Sequence, residues 1–345
     1  TFFQYYEDVS YGGYLEGFYP RSIEFCLVYK TKDDLRNILF CCKNHFKSIS
    51  FRFHPLKILD ISLYDFMLET KNSRCWESVV ELCLRYCDIE IIYKIVSETY
   101  LPNLRHLHLD NFCSRYEDDK YAWSGEKNHS LRQLSLQFTN NVYGDKLLGI
   151  LFKCFPNLAE FSMRSGRNAS IDYIVAALPK GLRFLNISAM GNFVGLNFLN
   201  DLARFPLLTK LTLKDDFSRY HNLDLKEPVY LPNLTKLVTH QWIFNSASFV
   251  LPELRELTLD LVYDSSLDNL KESKKLKDIL VGNALKGIMQ KIIDSNFFFS
   301  FSRLNKFSDK GVYYDKFICD FASDEISKSL IYLNFSDSDS FVYFY

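Results

Sequence analysis

Two histidines and an aspartate alternate along one short stretch of the chain and could form part of a metal site. His106, His108 and Asp110 are two residues apart, so on a β-strand their side chains project from the same face. A zinc site needs four ligands, and Cys83 is the one conceivable donor on a neighbouring stretch. We therefore expect no metal, and polar side chains standing in water are the competing interpretation.

Other catalytic and cofactor patterns are not recognisable in the sequence. The segment Gly12–Gly17 is glycine-rich, but it lacks the P-loop lysine and the dinucleotide spacing, so we interpret it as a lead-in. The cysteine pairs Cys41–Cys42 and Cys83–Cys87 lack the second spaced pair of a zinc ribbon. Neither a Gly-X-Ser-X-Gly elbow nor a pair of catalytic carboxylates is visible. We predict that the protein is not an enzyme and needs no cofactor.

Composition and charge describe a core-forming chain with no global attraction to polyanions. Lys plus Arg number 41 and Asp plus Glu 42, which gives a formal net charge of −1, and 48% of the residues are hydrophobic. We therefore expect neither nucleic acid nor membrane as a partner, and no apolar run reaches the roughly 18 residues of a membrane span. The nine cysteines are an odd number in a long chain, which favours reduced thiols and an intracellular, cytoplasmic or nuclear location.

Two further features bear on localisation. Five Asn-X-Ser/Thr sequons occur, and we interpret them as chance matches in an Asn- and Ser-rich chain. The chain opens at Thr1 without an initiator Met or a signal-like segment, so we expect an N-terminal segment to be missing.

A short phrase that predicts a turn followed by a strand returns about every 26 residues. In its clearest copy, Leu101-Pro102-Asn103-Leu104 leads into Leu107 and Leu109, and similar phrases begin at Phe155, Phe205 and Leu231. A period of this length, with a strand and a helix in each unit, lies in the leucine-rich-repeat range. The central apolar residues of the predicted strands are Leu82, Leu107, Leu134, Phe161, Leu185, Leu211, Leu237 and Leu257.

The remaining pattern extends this series in both directions. Strands are predicted at 21–27, 46–51 and 56–61, and helical spacing at 33–42, 91–96, 145–151 and 171–175. Strands are also predicted around Ile279 and Leu333, with one degenerate unit between them. We divide the chain into a lead-in or cap at 1–20, irregular repeats at 21–290, and degenerate repeats with a C-terminal cap at 291–345.

The recurring phrases resemble the leucine-rich-repeat superfamily over roughly residues 20–340. Val79–Cys87 resembles a cysteine-containing repeat, and Asp145–Leu158 is similar to the helix-to-strand half of that subclass. The resemblance implies an α/β horseshoe solenoid, with a parallel concave β-sheet and a helical or irregular convex side. The position of Cys87 is not cysteine in later units, so we expect irregular loops.

This subclass is common among F-box substrate receptors of ubiquitin ligases. The resemblance implies a non-enzymatic protein-interaction module, the substrate-recognition part of an F-box-type adaptor. It also implies a Skp1-like adaptor bound through the missing N-terminal segment, since no F-box is visible in this chain. The alternatives are a scaffold, a receptor-like binder or an enzyme inhibitor with no ubiquitin role.

Strand alternation predicts which side chains face the open, concave side and could contact a protein partner. Lys210, Lys214, Lys236 and His240 form a basic patch in this arrangement, flanked by Glu160, Glu256 and Asp260. The patch predicts docking of an acidic or phosphorylated segment, with a solvated face as the alternative. The candidate partner-binding residues are Arg85, His106, His108, Asp110, Arg164, Lys210, Lys214, Lys236, His240, Glu256 and Asp260.

Overall fold

The computed structural model divides the chain into two compact units, residues 1–179 and 180–345, which are described separately. The described residues are 22–26, 48–52, 76–85, 92, 101–110, 127–137, 145–165, 171–189, 198–215, 228–240, 243, 249–262, 275–284, 306–309, 332–335 and 342–343.

The repeated Leu-Pro phrase folds as a tight turn that delivers the chain to each strand. The amide of Leu104 donates to the carbonyl of Leu101 at 3.2 Å, which closes a four-residue β-turn. Proline suits the second position of such a turn because its φ is already fixed and it has no N–H to satisfy. The same bond closes the turn before Leu158, Leu208, Leu234 and Leu254.

The first unit contains a parallel sheet in which consecutive strands pair. The central apolar residues stand side by side, with Leu82 opposite Leu107, Leu107 opposite Leu134, and Leu134 opposite Phe161. These residues are buried, so they form a continuous apolar row from one coil to the next. The strands are β1 (Ser22–Cys26), β2 (Ser48–Arg52), β3 (Glu81–Arg85), β4 (His106–Asp110), β5 (Gln133–Gln137) and β6 (Glu160–Ser165).

Two helices of the first unit lie on the core side of this sheet. Helix α1 (Asp145–Cys154) carries Phe152, whose ring meets that of Phe161 edge-on at a centroid distance of 5.2 Å. Helix α2 (Ile171–Ala177) packs beside α1. Both helices extend slightly beyond the segments that sequence periodicity predicts.

The second unit repeats the arrangement with parallel pairing from β7 to β13. A short helix, α3 (Phe198–Asp201), and a 3-10 turn at Leu202–Arg204 lie between the first two strands. The strands are β7 (Phe184–Ala189), β8 (Lys210–Asp215), β9 (Lys236–Thr239), β10 (Glu256–Val262), β11 (Asp278–Ala284), β12 (Lys306–Asp309), β13 (Tyr332–Phe335) and β14 (Val342–Tyr343).

The parallel-sheet solenoid of stacked coils is confirmed, with one departure. Strand β14 pairs antiparallel with β13, which the sequence pattern did not predict. The degenerate unit expected between Ile279 and Leu333 is present as β12, where Phe307 stands opposite both residues.

Several sequence predictions concern residues outside the described part of the chain. These are the lead-in at 1–20, the helices at 33–42 and most of 91–96, and the strand at 56–61. Strand β2 pairs directly with β3. Among the described residues, no helix is both long and apolar enough to cross a membrane.

Asparagine side chains in three of the described turns tie a coil to the one before it. The side-chain amide of Asn103 donates to the carbonyl of Glu77 at 2.7 Å, and Asn157 donates to His129 at 3.0 Å. Asn233 donates in the same way to the carbonyl of Pro206 at 2.8 Å. These asparagines therefore satisfy turn carbonyls that strand pairing leaves open.

Asn128 replaces the apolar residue that begins this turn in other coils, and its side chain is only 1% exposed. Its Oδ1 accepts the amides of Ser130 and Leu131, each at 3.0 Å, and the Ser130 hydroxyl at 2.6 Å. The Asn128 amide donates to the carbonyl of Leu101 at 3.4 Å. Buried in this way, the Asn128 sequon cannot carry a glycan in the folded chain, which agrees with the chance interpretation for this site.

Candidate functional site: the open face of the strands

Each described strand of the central coils has one face turned to the core and one turned away from it. In β4, Leu107 and Leu109 are buried, His106 is exposed, and His108 and Asp110 are half-buried. The face that carries His106, His108 and Asp110, and the equivalent residues of the other strands, is here called the open face. Its side chains form three rows that cross the strands in register.

In the first unit, the middle row places His108 between Cys83 and Ser135. Partial burial lowers the pKa of His108 below its ordinary value of 6.5, and the nearby positive charge of Arg85 lowers it further. The carboxylates of Asp110 and Glu81 act in the opposite direction but do not outweigh the burial. His108 is therefore largely neutral at neutral pH.

The third row of the first unit carries an ion pair. Arg85 Nε lies 3.9 Å from Asp110 Oδ2 across the β3–β4 pair, and the Asp110 side chain is only 17% exposed. Further along the same row, Arg164 of β6 stands opposite Gln137 of β5 and is exposed. The predicted residues Arg85, His106, His108, Asp110 and Arg164 thus all lie on one open face.

The thiols and imidazoles of the described residues do not gather into a metal site. No group of three or more His, Cys, Asp or Glu side chains in the described ranges could hold an ion. Cys83 and Cys154 are thiols rather than disulfide partners. Burial raises the pKa of the Cys154 thiol to about 12, so this thiol is a packing group at neutral pH and not a nucleophile.

In the second unit, the structure brings two predicted lysines and a predicted carboxylate into one row. Lys210 stands opposite Lys236, and Lys236 stands opposite Glu256. Lys236 Nζ lies 2.6 Å from Glu256 Oε2, and both side chains are close to half exposed. One of the two lysines is therefore neutralised from within the sheet.

The alternation that predicted His240 in this patch does not reach that residue, so its role in binding stays a prediction. Strand β9 ends at Thr239, and its register with β8 also stops there. Alternation of side chains holds only inside a strand, so it does not extend to His240, which is 5% exposed. Lys214 lies further along β8, and Asp260 lies within β10, where its side chain is outside the described residues.

Apolar side chains on the open face are the feature that sequence reasoning undervalued. Phe184 of β7 stands opposite Lys210, and Val238 and Leu280 occupy the middle row on β9 and β11. All three are half-buried although they face away from the core. Strand alternation alone predicts that Phe184 faces this side. The pairing register of the strands is needed to show that Phe184 and the lysines share a row.

A shallow groove of about 530 Å³ lies along the turns of the second unit, beside the exposed Leu207. Polar side chains that line the groove already have partners within the protein. Thr235 Oγ1 donates to the Thr209 carbonyl, and Glu253 pairs with Lys275. We therefore interpret the groove as a product of coil stacking.

No protein-family model matches this chain, and a search of curated proteins finds no significant match. The class that the fold itself defines is a parallel-β solenoid with a polar open face. Any statement of function depends on the geometry of that face.

Proposed function

We propose that this chain is a non-enzymatic protein-binding module that contacts its partner through the open face of its strands. The observation that carries the proposal is the contrast between the two faces of the strands. Leucines hold the coils together on one side, while charged and polar side chains stand in register on the other. A surface of this kind can form the hydrogen bonds and ion pairs that a protein interface contains.

The coils are best interpreted as leucine-rich repeats. Their period of about 26 residues, the buried leucines and the strand in each unit support this assignment. The resemblance of Val79–Cys87 and Asp145–Leu158 to cysteine-containing repeats supports the finer proposal, a substrate-recognition part of an F-box-type ubiquitin-ligase adaptor. A Skp1-like adaptor would then be held by an F-box outside residues 1–345.

An intracellular location fits this proposal. Cys83 and Cys154 remain thiols, and the buried Asn128 removes one sequon from use as a glycan acceptor.

Affinity capture of the full-length protein, quantified by mass spectrometry, tests the binding module. An open-face variant, Arg164→Glu with Lys210→Glu, is compared with an exposed control outside the strands, Lys180→Glu with Lys277→Glu. We expect partners to be lost from the first variant and kept by the second. Partners kept equally by both would contradict binding through the open face.

The proposed role in a ubiquitin-ligase adaptor is tested by a separate measurement. Recovery of a Skp1-like adaptor with the wild-type full-length protein supports it, and reproducible absence of that adaptor rejects it. The second result would leave the binding module standing.

A further inference from the structure

The row that crosses β7, β8 and β9 in the second unit carries two adjacent positive charges beside an aromatic ring. Phe184 stands opposite Lys210, and Lys210 stands opposite Lys236. Side chains directly opposite each other on adjacent strands are close enough for like charges to repel. The neighbours of Lys210 in its row are thus one apolar group and one cation.

The next pair in the row shows how a lysine of this sheet is satisfied. Lys236 Nζ reaches Glu256 Oε2 at 2.6 Å, one strand away. Lys210 has no carboxylate in the corresponding position, since Phe184 and Lys236 occupy both sides of it. A carboxylate supplied from outside would complete for Lys210 the contact that Glu256 provides for Lys236.

We propose that this row binds an extended peptide segment carrying an acidic residue two positions from an apolar one. The inference rests on the proposed protein-binding function and names the chemistry of the partner. Strands lie about 4.8 Å apart, so the distance from above Phe184 to a point between the two lysines is about 7 Å. Side chains at i and i+2 of an extended peptide are about 7 Å apart and project to the same side.

Carboxylate chemistry fits the row better than phosphate. Arginine forms the bidentate clamp that favours phosphate, whereas the cations in this row are the lysines Lys210 and Lys236. A longer polyanion such as RNA would also bring phosphates towards Glu256 and Asp278, which continue the same row. The mixed sign of the row therefore favours a short acidic segment of a protein.

A displayed library of random seven-residue peptides, selected on the purified full chain, tests the proposal. Enriched peptides should carry an acidic residue two positions from an apolar one. Lys210→Gln should weaken the best synthetic peptide about two- to fivefold in low salt, the effect of one exposed ion pair. Phe184→Ala should also weaken it, whereas Lys277→Gln, at an exposed lysine that precedes β11 and lies three strands from Lys210, should leave its affinity unchanged.

The other outcomes separate this inference from the proposed function. Enriched peptides without the pattern, insensitive to Lys210→Gln, overturn the inference and leave a binding module in place. Tighter, Lys210-dependent binding of a phosphoserine peptide or of single-stranded RNA overturns the carboxylate assignment. If no peptide is enriched, the inference is rejected, and the capture experiment on open-face variants decides the broader proposal independently.

Discussion

At the scale of single residues, Asn128 shows how a polar side chain can replace an apolar one inside the core. It stands where Leu101 and Phe155 stand in neighbouring coils, yet its side chain is equally buried. Three donors bond to its Oδ1, so the Asn128 side chain stabilises the turn that proline favours in other coils.

We expect Asn128→Ala to lower the free energy of unfolding by about 1–3 kcal/mol, because buried donors would lose their acceptor. Urea unfolding followed by circular dichroism measures the change. The matched control is Asn157→Ala, which removes one exposed bond to the His129 carbonyl and should cost about 0.5 kcal/mol. Equal effects of the two substitutions would contradict the role assigned to Asn128.

His108 should make stability depend on pH. Because its pKa is lowered in the folded chain, the unfolded chain takes up the proton first as the pH falls through 6.5. Stability attributable to His108 is complete above that pH and declines below it, until the folded chain is protonated as well. Thermal unfolding between pH 7.5 and 5 should therefore show a shallower loss for His108→Gln than for the wild type.

A loss for His108→Gln that is as steep as that of the wild type would contradict this role of His108.

At the scale of elements, adjacent residues of strand β4 belong alternately to the core and to the surface. Leu107 is 1% exposed and lies in the apolar row between Leu82 and Leu134. His106, its immediate neighbour, points to the open face.

Leu107→Asp should cost more than about 3 kcal/mol, since it buries an unpaired carboxylate between coils. His106→Asp adds the same carboxylate on the open face and should cost at most about 1 kcal/mol, with Glu81 in register as the only charge penalty we expect. Chemical unfolding of both variants provides the measurement. Wild-type stability of Leu107→Asp would mean that the strand register is wrong.

At the scale of the whole molecule, the two compact units should respond separately to damage in their cores. Contacts in a solenoid join neighbouring coils, so a core defect acts mainly on the coils next to it. Leu107 of the first unit and Leu211 of the second are both buried at equivalent strand positions.

Hydrogen exchange followed by mass spectrometry tests this separation. Leu107→Asp should reduce amide protection chiefly in β3–β5, and Leu211→Asp chiefly in β7–β9. If either substitution abolishes protection throughout the chain, the two units unfold as one cooperative body.

Much of the structure of each coil could be predicted from sequence, because the patterns that indicate turns and strands involve residues close together in the chain. The Leu-Pro turn depends on four consecutive residues, and the burial of Leu107 and Leu109 follows from strand alternation. The open-face positions of Arg85, His106 and Lys210 follow from the same alternation. Alternation does not extend to His240, because β9 ends at Thr239 and that end is not marked in the sequence.

The period, the turn and the alternation each depend on residues close together in the chain, so the sequence is enough to predict them. Which side chains become neighbours across strands is established only when the coils stack. Lys236 pairs with Glu256 and Lys210 stands beside Phe184 only because one register among many sets them opposite. Register is a property of stacked coils, set by the fit of their buried leucines, so no single stretch of sequence contains it.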